Sequence, residues 1–218
     1  IVTDMDGTLL NDNHEIHPAF WEIEEQLHKA GIQFSVASGR QFYNLESKFD
    51  RIKDRTIFFA ENGTYVSHRG RELYVNPLKR EDGLHFIEMG RKLPDTKLVL
   101  CGKNSAYMEN GDEEFYKEIS RFYKRLEMVE DLTKVDDTIL KVTLCNYTGV
   151  EEYTFPHFVN YTDRFKVAIA AKVFIDITAA DANKGNAIKD VQRELNISPE
   201  ETLVFGDYLN DQIGRAQV

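Results

Sequence analysis

Two carboxylates, Asp4 and Asp6, stand two residues apart, directly after the β-prone run at residues 1–3. Gly7 follows them and permits a turn that would direct both side chains into one crevice. In such a pair, one carboxylate can act as a nucleophile and the other as a general acid/base. Their oxygen atoms also suit Mg²⁺. The segment is therefore a candidate catalytic site, and the alternative is a plain turn with exposed acids.

A calcium-binding loop is a further alternative for this segment. Oxygen-bearing side chains fill positions one, three, five, nine and twelve of an EF-hand loop, namely Asp4, Asp6, Thr8, Asp12 and Glu15. The sixth position is Leu9 rather than glycine, and a strand-like run stands where an EF-hand has a helix. These two departures disfavour a calcium loop.

Groups that could bind a phosphate occur in two later segments of the chain. Ser38 and Gly39 offer a hydroxyl and unhindered backbone N–H groups beside a predicted helix N-terminus. Lys184 begins another predicted helix and could neutralise phosphoryl oxygens as a point charge. The alternative for Ser38 and Gly39 is a turn that caps a helix. The alternative for Lys184 is a solvated surface lysine.

A second acidic pair, Asp207 and Asp211, follows a buried strand-like run and Gly206. Carboxylates from two strand ends that meet at one divalent cation would explain why so much negative charge is tolerable in one crevice. The alternative is an acidic N-cap at the start of a helix.

The segments that must position these residues alternate between strand and helix patterns. The predicted order is a strand over 1–3, a helix over 18–30, a strand over 32–37, a helix over 41–52, a strand over 56–60, a helix over 184–195 and a strand over 201–205. This alternation indicates a parallel sheet with helices on its faces. Because ligands bind beyond the carboxyl ends of such strands, the candidate residues are expected to converge there.

Between residues 60 and 184 the regular alternation of strand and helix is interrupted. After a hairpin at 64–76, the predicted elements are helices over 79–93, 112–126 and 149–160, and strands over 97–101, 105–109, 138–145, 164–170 and 172–177. In the second of these helices, Phe115, Ile119 and Phe122 are expected on one side. The predicted fold class is therefore α/β: a Rossmann-like doubly wound parallel sheet formed by 1–77 and 178–218, with an inserted α+β domain over 78–177.

The composition and charge of the chain disfavour several classes of partner. The 218 residues carry a formal net charge of −10, which disfavours nucleic acid and anionic membrane surfaces as partners. No apolar run approaches the ~20 residues that cross a bilayer. The two cysteines, Cys101 and Cys145, form no CxxC pair, so we expect reduced, buried thiols in a cytoplasmic protein.

Taken together, these motifs resemble the haloacid dehalogenase superfamily of phosphotransferases. They occur in order as Asp4-Met5-Asp6-Gly7-Thr8-Leu9, Ser38-Gly39-Arg40, Lys184-Gly185 and Gly206-Asp207-Tyr208-Leu209-Asn210-Asp211. The size and place of the insert resemble the Cof-type branch, which carries a large α/β cap. The resemblance spans nearly the whole chain.

The resemblance implies a Mg²⁺-dependent phosphatase that acts on a small phosphorylated metabolite such as a sugar phosphate. Asp4 would attack phosphorus and carry an aspartyl-phosphate, and Asp6 would protonate the leaving alcohol and then activate water. The implied metal ligands are Asp4, the backbone carbonyl of Asp6 and Asp207, with Asp211 close by. The implied phosphate-binding residues are Ser38, Gly39 and Lys184, with Asn62 and Asn210 at the rim. The insert would act as a lid.

Two other functions fit parts of this pattern. A phosphomutase would use the same two aspartates but return the phosphoryl group to its substrate. A non-catalytic receiver-like module would only carry a phosphorylated aspartate, and the inserted domain and Asp6 argue against it. The residues after Asp211 do not resemble the helix that continues the family's core, which predicts an incomplete C-terminal part of the core.

Overall fold

The computed structural model describes residues 1–206, and the chain divides into two compact units. One unit comprises Ile1–Val75 and the chain from Asn183 onward, and the other comprises Asn76–Ala182. The sequence pattern placed these divisions at 77/78 and 177/178. The second division lies later because the last strand of the inserted unit continues to Ala179.

The first unit is built around one six-stranded sheet. Its strands are β1 (Val2–Asp4), β2 (Phe34–Ala37), β3 (Thr56–Ala60), β4 (Tyr65–His68), β5 (Arg71–Val75) and β12 (Val204–Phe205), and its helices are α1 (Ala19–Lys29), α2 (Phe42–Lys48) and α6 (Lys184–Leu195). The strand order is β12-β1-β2-β3-β4-β5. The first four strands in this order are parallel, and β4 and β5 extend the sheet as an antiparallel hairpin.

Helices cover both faces of this sheet because its central strands send alternate side chains to opposite sides. In β3, Ile57 and Phe59 join a buried cluster with Ala187 and Ile188 of α6. Phe58, between them, faces the aromatic ring of Phe42 in α2 on the other side. This arrangement confirms the predicted α/β fold with a doubly wound core.

The inserted unit contains a second six-stranded sheet. Its strands are β6 (Thr96–Gly102), β7 (Ala106–Glu109), β8 (Leu126–Val129), β9 (Ile139–Asn146), β10 (Phe165–Ala171) and β11 (Phe174–Ala179), and its helices are α3 (Arg80–Gly90), α4 (Glu113–Ile119) and α5 (Val150–Tyr153). The strand order is β10-β11-β9-β6-β7-β8. All neighbours are antiparallel except β7 and β8, which are parallel.

Two predicted helices of the inserted unit are much shorter than their patterns indicated. The helix expected over 112–126 ends at Ile119, so Phe115 and Ile119 are buried but Phe122 is 50% exposed. The chain then turns and forms β8, because residues 126–129 pair with β7 and this tertiary pairing overrides local helical preference. The helix expected over 149–160 ends at Tyr153, since Pro156 cannot continue it.

Both cysteines are free thiols buried in the inserted unit, as the sequence predicts. Cys101 and Cys145 belong to an apolar cluster with Phe115 and Ile119 of α4. Among residues 1–206, no helix is long and apolar enough to cross a membrane.

Candidate active site

The carboxyl ends of the parallel strands meet in one row of the first unit. Asp4 of β1 pairs with Ala37 of β2, which pairs with Phe59 of β3. The three strands therefore end at the same edge of the sheet. Ser38 directly follows β2, and Asn62 lies in the turn after β3. Strands β2 and β12 flank β1 on opposite sides, so the strand order reverses at β1. Such a reversal opens the crevice in which α/β sheets bind ligands, and Asp4 stands at its edge.

Asp4 and Lys184 form a buried ion pair at this edge. The Nζ of Lys184 donates to Oδ1 of Asp4 over 2.5 Å, and the two side chains are only 4% and 9% exposed respectively. Lys184 is therefore not a solvated surface lysine. An ammonium group held against a buried carboxylate balances its charge and could also attract an anionic substrate.

The backbone around Gly63 allows Lys184 to reach this position. Gly63 has a φ of +88°, and a Cβ there would lie 2.6 Å from the carbonyl oxygen of Asn183 and 2.8 Å from Cα of Lys184. A side chain at Gly63 would thus push α6 away from the strand ends. Asn183 also caps this helix, since its side chain accepts a hydrogen bond from the backbone N–H of Asn186.

Asp6 lies in the turn after β1, in which Gly7 has a φ of +80°. The guanidinium of Arg40 holds both carboxylate oxygens of Asp6, with Nε 3.0 Å from Oδ2 and Nη2 2.5 Å from Oδ1. Partial burial acts to raise the pKa of Asp6. The hydrogen bonds and charge of Arg40, helped by the charges of His14 and Lys48, outweigh it and lower the pKa below its ordinary value.

The turn after β2 is tied to the turn after β3. The N–H of Ser38 donates to the carbonyl of Phe59, and the N–H of Asn62 donates to the carbonyl of Ser38, over 2.9 and 3.0 Å. The amide of Asn62 fills the space beside Gly39, where a Cβ would lie 2.9 Å from its Oδ1. The structure therefore brings Ser38, Gly39 and Asn62 together where the turns after β2 and β3 meet.

The remaining predicted site residues, Asp207, Asn210 and Asp211, lie outside the described residues. Within residues 1–206, no group of three or more His, Cys, Asp or Glu side chains converges on a common point. The hard oxygen donors that this part of the chain supplies, the Asp4 carboxylate and the Asp6 backbone carbonyl, fit Mg²⁺.

The EF-hand alternative does not fit the local structure. The segment follows strand β1 directly, where an EF-hand loop follows a helix. Asp12 and Glu15 are exposed in a turn closed by Asn11, whose side chain accepts from the N–H groups of Asn13 and Glu15.

Sequence reasoning missed the contributions of Arg40, which stands within a quoted motif, and of Gly63, which stands in none. No pattern in a single sequence shows that an arginine after Ser-Gly will face an aspartate 34 positions earlier. The only available signal was that Arg40 follows a predicted strand end, as the other candidate residues do.

A model of the haloacid dehalogenase-like hydrolases matches residues 1–212 of the chain. A curated relative, the 5-amino-6-(5-phospho-D-ribitylamino)uracil phosphatase of Escherichia coli, is 30% identical over 218 residues, covering 97% of this chain and 79% of the relative. Phosphatase YwpJ of Bacillus subtilis is 23% identical over 242 residues, covering 97% and 84%.

A solved structure from Eubacterium rectale has the same fold, with a TM-score of 0.87 and 27% identity, and the match covers 96% of this chain and 81% of that one.

Proposed function

We propose that this chain, which belongs to the Cof-type branch of the haloacid dehalogenase-like hydrolases, is a Mg²⁺-dependent phosphatase of a small phosphorylated metabolite. The observation that carries the proposal is the Asp4 carboxylate, which is buried at the strand-order reversal and faced by the Lys184 ammonium at 2.5 Å. A carboxylate held in this way can serve as a nucleophile beside a binding site for an anion.

In the first half-reaction, a carboxylate oxygen of Asp4 attacks phosphorus as the bond from phosphorus to the substrate oxygen breaks. Because Arg40 lowers the pKa of Asp6, its carboxylate must first take up a proton from solvent; it then gives that proton to the departing alkoxide, which leaves as an alcohol. In the second half-reaction, Asp6 accepts a proton from the water that attacks the aspartyl-phosphate. Inorganic phosphate leaves, and both the Asp4 carboxylate and the protonated Asp6 are restored.

Ser38, Gly39 and Lys184 would grip the phosphoryl oxygens during both steps, with Asn62 at the rim. The Asp4 carboxylate and the Asp6 carbonyl would hold Mg²⁺ together with Asp207, and Asp211 and Asn210 would assist from the same segment. When bound, the cation would offset the repulsion between the phosphate and the carboxylates. We assign the inserted unit to the cap that contacts the leaving part of the substrate.

The name of the E. coli relative suggests where the substrate search should begin. That protein acts on a phosphorylated ribityl compound. We therefore expect this chain to release inorganic phosphate from a phosphorylated polyol or sugar in a Mg²⁺-containing screen. Phosphate released in proportion to substrate consumed identifies a phosphatase, whereas isomerised substrate without phosphate release identifies a phosphomutase.

Asp4→Asn tests the nucleophile, and Asp12→Asn, an exposed aspartate in the neighbouring turn, is the matched control. We expect Asp4→Asn to abolish turnover and Asp12→Asn to leave it unchanged. Undiminished turnover in Asp4→Asn, or an undiminished rate in excess EDTA, would contradict the proposed mechanism.

A further inference from the structure

Arg40 is fixed at both its backbone and its side chain. Its N–H donates to Oγ of Ser38 over 3.3 Å, and its carbonyl accepts from the N–H of Glu61 over 3.0 Å. Its guanidinium then reaches across to the turn after β1, where two of its nitrogens donate to the two oxygens of Asp6. One residue thus joins the turn that carries Ser38 to the carboxylate of Asp6.

We propose that Arg40 is a positioning residue that orients the Asp6 carboxyl group for its proton transfers, an inference that rests on the proposed function. The Asp6 side chain is 44% exposed, so burial alone does not fix its orientation. A planar guanidinium that contacts both oxygens fixes the plane of the carboxylate, which a point charge such as lysine cannot do.

The other charged groups that face Asp6 do not fix its plane. Nδ1 of His14 lies 3.7 Å from Oδ1, the same oxygen that Nη2 of Arg40 contacts. Lys48 donates to the backbone carbonyl of His14 and acts on Asp6 only through its charge. Of the groups described around Asp6, Arg40 is therefore the one whose geometry can set its orientation.

The loss of rate expected on removing Arg40 depends on how basic the leaving oxygen is. Moving a catalytic group by about 1 Å can lower the rate of the chemical step about 10²-fold. Proton donation matters most when the leaving oxygen is strongly basic, as in an alkyl phosphate, and little when it is a nitrophenolate. Loss of Arg40 should therefore slow the hydrolysis of alkyl phosphates far more than that of p-nitrophenyl phosphate.

The experiment compares Arg40→Gln and Arg40→Lys with wild type on the best alkyl phosphate from the screen and on p-nitrophenyl phosphate. We expect Arg40→Gln to lower kcat about 100-fold on the alkyl phosphate, less than about 10-fold on p-nitrophenyl phosphate, and to leave KM nearly unchanged. Arg40→Lys should recover only part of the loss because it lacks the planar fork. In an Asp6→Asn background, Arg40→Gln should cause no further loss on the alkyl phosphate.

Arg71→Gln is the matched control, since Arg71 forms an exposed ion pair with Glu194 on the edge strand β5. Equal losses on both substrates, a rise in KM alone, or a full additional loss in the Asp6→Asn background would overturn the inference and assign Arg40 to direct phosphate binding. If Arg40→Gln does not fold by circular dichroism, the same comparisons are made with Arg40→Lys. A wild type that hydrolyses neither substrate would overturn the proposed function itself, which distinguishes that failure from the failure of the inference.

Discussion

Replacing Lys184 by methionine tests the energetics of the buried ion pair. Methionine keeps most of the volume of the lysine stem but removes the ammonium group that lies 2.5 Å from Asp4. An exposed pair would contribute about 1 kcal/mol or less. Here both side chains are at least nine-tenths buried, and removing one partner of a buried pair typically costs about 3–5 kcal/mol.

The assay is urea unfolding in excess EDTA, so that no added cation replaces the lost charge. We expect Lys184→Met to lower the free energy of unfolding by about 3–5 kcal/mol. For a protein of this size, that loss corresponds to a fall in Tm of about 6–20 °C. Lys29→Met is the matched control, since Lys29 is 72% exposed and lies 3.6 Å from Glu25, and it should change stability by less than about 1 kcal/mol.

The double variant Asp4→Asn/Lys184→Met removes both charges from the pair. It should be more stable than Lys184→Met because it no longer buries a carboxylate without the ammonium that faces it. The reasoning is refuted if Lys184→Met is as stable as wild type, or if the double variant is no more stable than the single one.

Three further predictions concern packing and chemistry elsewhere. Gly63→Ala should destabilise the protein more than Gly70→Ala in urea unfolding, because both residues have positive φ but only Gly63 adds a clash with the backbone that begins α6. Phe115→Ala should cost about 3–5 kcal/mol and Phe122→Ala much less, because Phe115 is buried and Phe122 is half exposed. Burial raises the pKa of Cys145 to about 11, so the native protein should resist iodoacetamide at pH 8 at this thiol, as mass spectrometry would show, and the urea-unfolded protein should not.

The strands and helices of the first unit could be predicted because the hydrophobic pattern of each segment matches the burial of its residues in the fold. The strand at 56–60 and the helix at 184–195 were placed at their observed bounds, since a short apolar run and an amphipathic stripe each match one local structure. The doubly wound arrangement followed from the alternation of these elements. Residues at the strand ends could therefore be named as neighbours before any distance was known.

Features that depend on tertiary contacts could not be predicted in the same way. The helical pattern predicted a helix up to residue 126, but the helix ends at Ile119 and strand pairing with β7 decides the structure of residues 126–129. The hydrogen bonds from Arg40 to Asp6 depend on where two turns meet, which no local pattern records. The resemblance placed Lys184 where it offsets the charge of Asp4, but no local pattern records that the lysine side chain would be only 4% exposed.

The two ends of the inserted unit are held together where the chain enters and leaves it. Nδ2 of Asn76, its first residue, donates to Oδ1 of Asp181 over 2.8 Å, and Ala182 is its last residue. A folded insert whose ends meet in this way closes a long loop at little entropic cost to the rest of the chain, because the insert's own folding has already brought the ends together. For the first unit, the inserted unit between β5 and α6 therefore has about the same entropic cost of loop closure as a short loop would have. Evolution could exchange one insert for another there without redesigning the sheet that holds Asp4.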